Sequence, residues 1–520
     1  MARISYLDTT LRDGAQTEGV SFSVSDKLNI ARALDRFGID YIEGGFPGAN
    51  PKDEEFFRQA ENITWQHAKL TAFGATRYKG STCERDPAVQ AVARSKAPAC
   101  AIVAKSSLFQ VEEILETTPR EGLAMISDTV AYLVAAGKEV ILDAEHFFDG
   151  FKQDSEFTLA ALRAAQDAGA SWLALCDTNG GSLPQEAAEI TARVVAELET
   201  PVAIHAHNDL EMGVAVSVAA VAAGAAQVHG TINGIGERTG NANLCSVIPT
   251  LALKMDYSSG VDGNLARLTE LSHLASELAN LTPNQHQPFV GNSAFAHKAG
   301  YHASASSKFE HAYQHIDPAL VGNRQRILIS ELSGSKNIAS TAQRLGISQT
   351  AETAAETLEA VKLLEAEGYH FEGAEASFEL LLLRRQPGYR APFELIDFLA
   401  LTETRGSQPV VSEAVVKLQV NGDQSHTAAD GNGPVSALDG AFRKAILPAY
   451  PELATVQLID YKVRILDPDS GTGAFTRVLI TMSDGEREWS TVGSSANIVE
   501  ASWVALIDGY EYSLRKGPVG

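Results

Sequence analysis

Val202-Ala203-Ile204-His205-Ala206-His207-Asn208-Asp209 is an apolar run that ends in two histidines two residues apart. In an extended segment, residues i and i+2 point to one face, so the two imidazoles emerge side by side. Pro201 precedes the run, and an Ala/Val-rich stretch of helical character follows it. A short apolar strand feeding a helix is half of a βα unit, and such units carry their chemistry where the strand ends. His205 and His207 are therefore expected at the C-terminal mouth of a parallel strand.

Working outward, seven more segments read as short apolar strands: Ile4–Asp8, Asp40–Gly44, Leu70–Ala75, Ala101–Lys105, Glu139–Ala144, Trp172–Cys176 and Gln227–Ile232. The stretches between them have helical spacing. In the first, Ser25 is a candidate N-cap, Leu28, Ala31 and Leu34 form an apolar stripe, and Gly38 ends the helix. Eight βα units within residues 1–255 match the size of a (β/α)8 TIM barrel, an α/β fold. An open doubly wound sheet is the alternative.

The two architectures differ in one consequence. Strand 1 runs into Leu11-Arg12-Asp13-Gly14, and strand 8 into Asn233-Gly234-Ile235-Gly236-Glu237-Arg238-Thr239-Gly240-Asn241. In a closed barrel strands 7, 8 and 1 are neighbours, so Asp13, His205, His207 and Asn241 can converge; an open sheet need not join 8 to 1. A carboxylate, two imidazoles and an amide oxygen suit a catalytic divalent metal. Each piece also has a plain structural reading. A His-x-His pair can be structural, Asp8 and Asp13 can cap turns, and the glycines can be loop punctuation. Gly234-x-Gly236-x-x-x-Gly240 misses the dinucleotide fingerprint by one residue and follows the last strand rather than the first. Three such segments in this order favour the metal site.

The chain has 520 residues, too many for one core. Division falls at 1–265 for the barrel, 266–390 for helical linker subdomains and 391–520 for an α+β domain, where residues 411–420 alternate as a half-exposed strand does. Further strands are expected at Leu458–Leu466 and Thr476–Met482, and helices after the turns at Gly433 and Gly493. No internal repeat is legible. A net charge of −23 argues against nucleic acid or an anionic membrane as a main partner. The apolar run Val214–Ala226 is too short to span a bilayer. The N-terminus enters a strand at once, so no signal peptide is expected. Four scattered cysteines without a CxxC read as reduced thiols of a cytoplasmic protein.

Three segments carry a resemblance: Tyr6–Val20 (YLDTTLRDGAQTEGV), Tyr41–Asp53 (YIEGGFPGANPKD) and Leu332–Asn337 (LSGSKN). They look like the DRE-TIM metallolyase superfamily, whose Asp-Arg-Glu set is matched by Asp13, Arg12 and Glu145. Length and the C-terminal domain resemble the 2-isopropylmalate, homocitrate and citramalate synthase group, and the three segments are most similar to its citramalate-forming branch. 2-Isopropylmalate synthases typically read Gly-Glu-Gln-Ser-Pro-Gly where this chain has Gly14-Ala15-Gln16-Thr17-Glu18-Gly19.

The resemblance implies a Claisen condensation of acetyl-CoA, as co-substrate, with a 2-oxo acid, here pyruvate, followed by thioester hydrolysis. It implies that Asp13, His205, His207 and Asn241 hold the metal, Mg²⁺ or Mn²⁺, with Zn²⁺ or Co²⁺ also acceptable to two imidazoles. Arg12 would donate to the ketone oxygen, where charge develops, and Thr178 would hold the substrate carboxylate. His302 would be the base, a role suited to imidazole, with His297 its rival and Glu145 assisting. Many relatives carry a tyrosine soon after Asp-Pro-x-x-Val-Gly; here Asn323-Arg324-Gln325-Arg326 follows, leaving Tyr301 or Tyr313 for that role. The C-terminal domain would regulate and dimerise, giving a homodimer with isoleucine as effector, bound by backbone N–H groups at Gly431–Val435 or Gly493–Asn497. The competing readings are 2-isopropylmalate or homocitrate synthase, a lyase or aldolase on the same barrel, and a metabolite-sensing binding module.

Overall fold

The computed structural model describes residues 2–297, 313–327, 335–404 and 410–516. They form two compact units, Met1–Phe295 with Ile316–Arg324, and Ala296–His315 with Gln325–Gly520.

The first unit is built on a closed parallel barrel of β1 (Ser5–Asp8), β2 (Tyr41–Gly45), β3 (Lys69–Ala75), β4 (Ala99–Lys105), β5 (Glu139–Glu145), β6 (Trp172–Asp177), β7 (Val202–Ala206) and β8 (Gln227–Gly230). All eight expected strands form, with ends within two residues of expectation. β8 pairs with β1 through Leu7 opposite His229 and Asp8 opposite Gly230, which closes the sheet and excludes the open alternative.

Strand parity sorts the side chains. Leu7, Tyr41, Ala99, Ala101, Ile141, Ala174 and Ala203 fill the barrel's interior as a separate buried cluster. Two residues further along the same faces come Thr9, Glu43, Val103, Asp143, Cys176 and His205. The lower interior is therefore packed and apolar, and the upper interior carries polar groups at the mouth. The opposite faces (Ile42, Ile102, Leu142, Leu175, Ile204) pack under the surrounding helices.

The first helix, Val24–Phe37, is capped by Ser23 rather than Ser25. Ser23 Oγ accepts the Asp26 N–H, and the Asp26 carboxylate accepts the Ser23 N–H, a reciprocal pair that Ser25 cannot make from inside the helix. Gly38 ends it at φ 102°.

In the second unit, two-residue strands β9 (Ala296–His297) and β10 (Arg326–Ile327) pair in parallel. Helices Ser335–Arg344, Ala351–Ala366 and Glu375–Arg384 share a small core around Ile338, Val361, Phe371 and Leu382. Thr350 caps the second of these. Two three-stranded antiparallel sheets follow: β11 (Phe393–Glu403), β12 (Val411–Val420) and β13 (Asp423–Gly431); then β14 (Gln457–Ile465), β15 (Thr476–Ser483) and β16 (Glu488–Ser495). Helix Pro434–Ile446 covers the first sheet and helix Ile498–Lys516 the second, so the domain is a βββα unit used twice. That repeat is one of arrangement, carried by different residues, and leaves no trace in sequence identity. Arg384 donates to Asp508 at 2.5 Å and to Glu511 at 2.6 Å, tying the helical part to the last helix.

The four cysteines are free and buried. Among the described residues, no helix is long and apolar enough to cross a membrane.

Candidate active site and metal centre

The mouth of the barrel opens on a cavity of about 900 Å³, lined among others by Arg12, Asp13, Phe73, Asp143, Glu145, Thr178, His205 and His207. Each is supplied by a strand end or the turn after it.

The turn after β1 provides Arg12 and Asp13. Thr9 Oγ1 accepts the Asp13 N–H at 3.3 Å and donates to Glu43 Oε2 at 2.5 Å, so one hydroxyl links the turn to β2. Arg12 Nε donates to Glu43 Oε2 at 2.6 Å, and Nη1 to Asp13 Oδ2 at 3.0 Å. Its guanidinium lies 4.1 Å from the centre of the Phe73 ring, within cation–π range. Two carboxylates and an aromatic face thus fix Arg12 in one orientation. The glutamate that touches Arg12 is Glu43, to which sequence reading gave no role. Glu145, assigned to the Asp-Arg-Glu set from sequence, ends β5 in the same cavity and pairs with Lys105 across the β4–β5 register.

Asp13 Oδ2 lies 3.7 Å from His205 Nε2 and 3.9 Å from His207 Nε2. The two imidazoles are stacked, with centroids 5.4 Å apart and planes 22° apart. His207 lies one residue past β7 and bridges to Asn241 in the loop after β8. Asn241 Nδ2 donates to Asp13 Oδ1 at 2.8 Å, and its Oδ1 is 2.9 Å from His205 Nε2. The structure thus brings together all four residues read from sequence as ligands. One ligand atom each from Asp13, His205 and His207 fall within 4.8 Å of one another. Ligands held about 2–2.2 Å from one ion stand roughly 3–4 Å apart, so small adjustments complete the set.

The loop glycines have a reason. A Cβ at Gly236 would lie 2.2 Å from Asn241 Nδ2, and one at Gly240, where φ is +93°, would lie 1.9 Å from the carbonyl oxygen of Gly234. The close approach that seats Asn241 allows no side chain at either position.

Electrostatics match a cation site. Burial lowers the His205 imidazole to about 3, with repulsion from His207 adding to it, and burial also lowers His207. Both rings are neutral at physiological pH, with lone pairs available. Burial raises the Asp13 carboxyl, but Arg12, His205 and His207 outweigh it and hold the group at about 2. An ionised carboxylate and neutral imidazoles are the forms a metal requires.

Thr178 follows β6. Its Oγ1 accepts the His146 N–H at 2.7 Å and its carbonyl accepts from Arg238 Nη2 at 2.7 Å. His302 and Tyr301 lie outside the described residues. His297 and Tyr313 belong to the second unit, with ring centroids 6.4 Å apart.

Comparison with known proteins follows the same division. Residues 3–275 match the HMGL-like family model, 289–368 the homocitrate synthase post-HMGL domain-like model, and 372–514 the LeuA allosteric (dimerisation) domain. An (R)-citramalate synthase of Aquifex aeolicus is 50% identical over 521 residues, covering 99% of each chain. One from Geobacter sulfurreducens is 48% identical, covering 99% of this chain and 98% of its own. The chain belongs to the (R)-citramalate synthase family. A probable 2-isopropylmalate synthase of Methanopyrus kandleri is 33% identical over 99% of both chains, a more distant likeness within the same architecture. In this citramalate synthase family member the HMGL-like match spans the closed barrel, and the LeuA match spans the paired βββα units.

Proposed function

We propose that this chain condenses acetyl-CoA with pyruvate and hydrolyses the resulting thioester, releasing (R)-citramalate and CoA. The observation that carries the reading is Arg12, clamped by Glu43, Asp13 and Phe73 beside the Asp13/His205/His207 cluster, in a chain 50% identical to an (R)-citramalate synthase over its whole length.

A divalent cation held by Asp13, His205, His207 and Asn241 would supply Lewis acidity at the ketone and a template for the oxo acid. Mg²⁺ or Mn²⁺ suits the carboxylate and amide oxygens, and Zn²⁺ or Co²⁺ the imidazoles. Arg12 directs its guanidinium hydrogens at the ketone oxygen, where negative charge develops as the carbon–carbon bond forms. Because Arg12 is already held, little reorganisation accompanies that step. The Thr178 hydroxyl accepts from His146, so its own hydrogen is free to donate to the substrate carboxylate. Leu11, Phe73 and Val103 line the cavity with Arg12 and suit an oxo acid whose side chain is only a methyl group. The acetyl methyl must give up a proton to a base. His302, in the segment outside the described residues, takes that role, with Glu145 positioning the acetyl group. Water then attacks the thioester, and CoA leaves as the thiol.

Residues 1–265 act as the catalytic part, 266–390 as the helical link and 391–520 as the regulatory part of a cytoplasmic homodimer. One feature of the fold supports the dimer. The edge strands β11 and β14 leave Leu399, Leu401, Ile459 and Ile465 about half exposed, and such rows are covered in stable assemblies. Isoleucine is the proposed effector. Helix Pro434–Ile446 has no side-chain cap, which leaves N–H groups at its start for a carboxylate.

The test is product identity. Full-length protein with Mn²⁺, acetyl-CoA and pyruvate should yield (R)-citramalate and free CoA in equal amounts by chiral chromatography and thiol titration. CoA release without citramalate would indicate a thioesterase and overturn the reading.

A further inference from the structure

Beside the metal-facing cluster lies a second group of buried polar side chains that the condensation does not use. Asp143 on β5 and His229 on β8 point into the barrel beside His205, 3% and 1% exposed; Asp143 also reaches the wall of the mouth cavity, and His229 pairs in register with His205. His229 Nδ1 is 3.6 Å from Asp143 Oδ1, and the His229 ring meets the His205 ring edge to face at 5.5 Å. One ligand-type atom each from Asp143, His205 and His229 lie within 4.8 Å of one another. His205 therefore belongs to both clusters.

Its two ring nitrogens divide between them. Nε2 faces Asn241 Oδ1 and Asp13 Oδ2. When Nε2 lends its lone pair to a cation, Nδ1 must carry the ring hydrogen. Nδ1 is buried and hydrogen-bonds to no protein atom, and the same holds for Asp143 Oδ1 and His229 Nδ1. A buried N–H without an acceptor is costly, and metal-ligating histidines almost always hand their second N–H to a carboxylate or carbonyl. His229 is anchored from the other side: Gln227 Nε2 donates to Ser5 Oγ, leaving Gln227 Oε1, 2.9 Å from His229 Nε2, to accept from that ring. The ring of His229 is thus held by β8 itself, and it walls in the space between Asp143 and His205.

We propose that Asp143 and His229 are positioning residues for His205: Asp143 takes the His205 Nδ1 hydrogen, His229 confines the ring, and the pair sets how tightly a divalent cation is held at the mouth. This rests on the metal reading above. It predicts that affinity is controlled by residues outside the ligand set.

The test uses the metal-stripped full-length chain titrated with Mn²⁺, followed by the electron paramagnetic resonance signal of free Mn²⁺. Asp143→Ala and His229→Gln should raise the Mn²⁺ Kd by about 10–100-fold, and Asp143→Asn, which keeps one oxygen, by less than Asp143→Ala. ¹⁵N NMR of the imidazoles should show His205 as a single Nδ1–H tautomer in the wild type and a mixture in Asp143→Ala, a change that loosened packing alone does not produce. If Asp143→Ala does not fold, Asp143→Asn and His229→Gln decide. Kd values within about two-fold of wild type in every folded variant would overturn the proposal. A wild-type chain that binds no Mn²⁺ would fail the metal reading first, and this inference with it.

Discussion

Glu43 offers the sharpest perturbation. Its carboxylate is 1% exposed and receives Arg12 Nε at 2.6 Å and Thr9 Oγ1 at 2.5 Å, both on Oε2, while Oε1 is buried without a partner. Glu43→Gln can keep its carbonyl on the Oε2 side, so Thr9 and Arg12 still find an acceptor and the loss is one of charge. Glu43→Ala removes the acceptor and leaves Arg12, whose side chain is only 15% exposed, with a single carboxylate partner, Asp13. Breaking a buried ion pair costs about 3–5 kcal/mol of stability. Loss of one preorganised donor to a developing oxyanion costs about 2.7–4 kcal/mol in the transition state, or about 10²–10³ in rate. In a CoA-thiol assay across pyruvate concentrations, Glu43→Ala should therefore fall by about two to three orders of magnitude in kcat, and Glu43→Gln by distinctly less. Thermal unfolding in parallel separates the two costs, since a folded but slow Glu43→Gln isolates the positioning of Arg12. Both variants within about three-fold of wild type, at unchanged stability, would refute the argument that Glu43 holds Arg12 for catalysis.

Other expectations follow from the same geometry. Asp13→Ala or His207→Ala should abolish metal-dependent turnover while the chain stays folded by circular dichroism; activity that survives EDTA would contradict the metal centre. His205 is held neutral by burial down to about 3, against 6.5 for the free group, so below pH 6.5 the unfolded chain binds a proton that the folded chain refuses. Stability of the metal-free protein should thus decline as pH falls from 6.5 towards 3, by on the order of 4 kcal/mol from this residue; urea unfolding that shows no such decline would contradict a buried neutral imidazole. Leu399→Asp or Ile459→Asp, each on an exposed edge strand, should shift the homodimer to monomer in light scattering, and an unchanged mass would move the interface elsewhere. Isoleucine should raise the apparent KM or lower kcat through a coupling of about 1–3 kcal/mol, with no effect at any concentration counting against the effector assignment.

Much of this was legible in the sequence because parallel barrel strands are short, apolar and evenly spaced. His205-x-His207 and the asparagine loop stood out because they interrupt that pattern. The residues missed obey the same rule. Tyr41-x-Glu43, Ile141-x-Asp143-x-Glu145 and Gln227-x-His229 each place a charged or polar group two residues past an inward-facing one. Reading strand parity to the end would have put Glu43 on the same face as Tyr41 and within reach of Arg12. Sequence motif alone favoured Glu145, because its strand also ends at the mouth, and only the register distinguishes a neighbour of β1 from a strand across the barrel. In the C-terminal domain, β12 was legible from its alternation, with Ala414, Val416, Leu418 and Val420 buried. β11 was not, since its apolar residues face both ways. Nor was β13, with its Gln, Ser, His and Thr residues.

Pyruvate, whose side chain is a single methyl group, is the 2-oxo acid proposed for this barrel mouth. Initial rates of CoA release with Mn²⁺, measured for pyruvate, 2-oxoisovalerate and 2-oxoglutarate at equal concentration, decide among the three acids. Turnover is expected with pyruvate, and rates near background with the other two. Faster release with 2-oxoisovalerate or 2-oxoglutarate would contradict this expectation and assign the same site to a larger substrate.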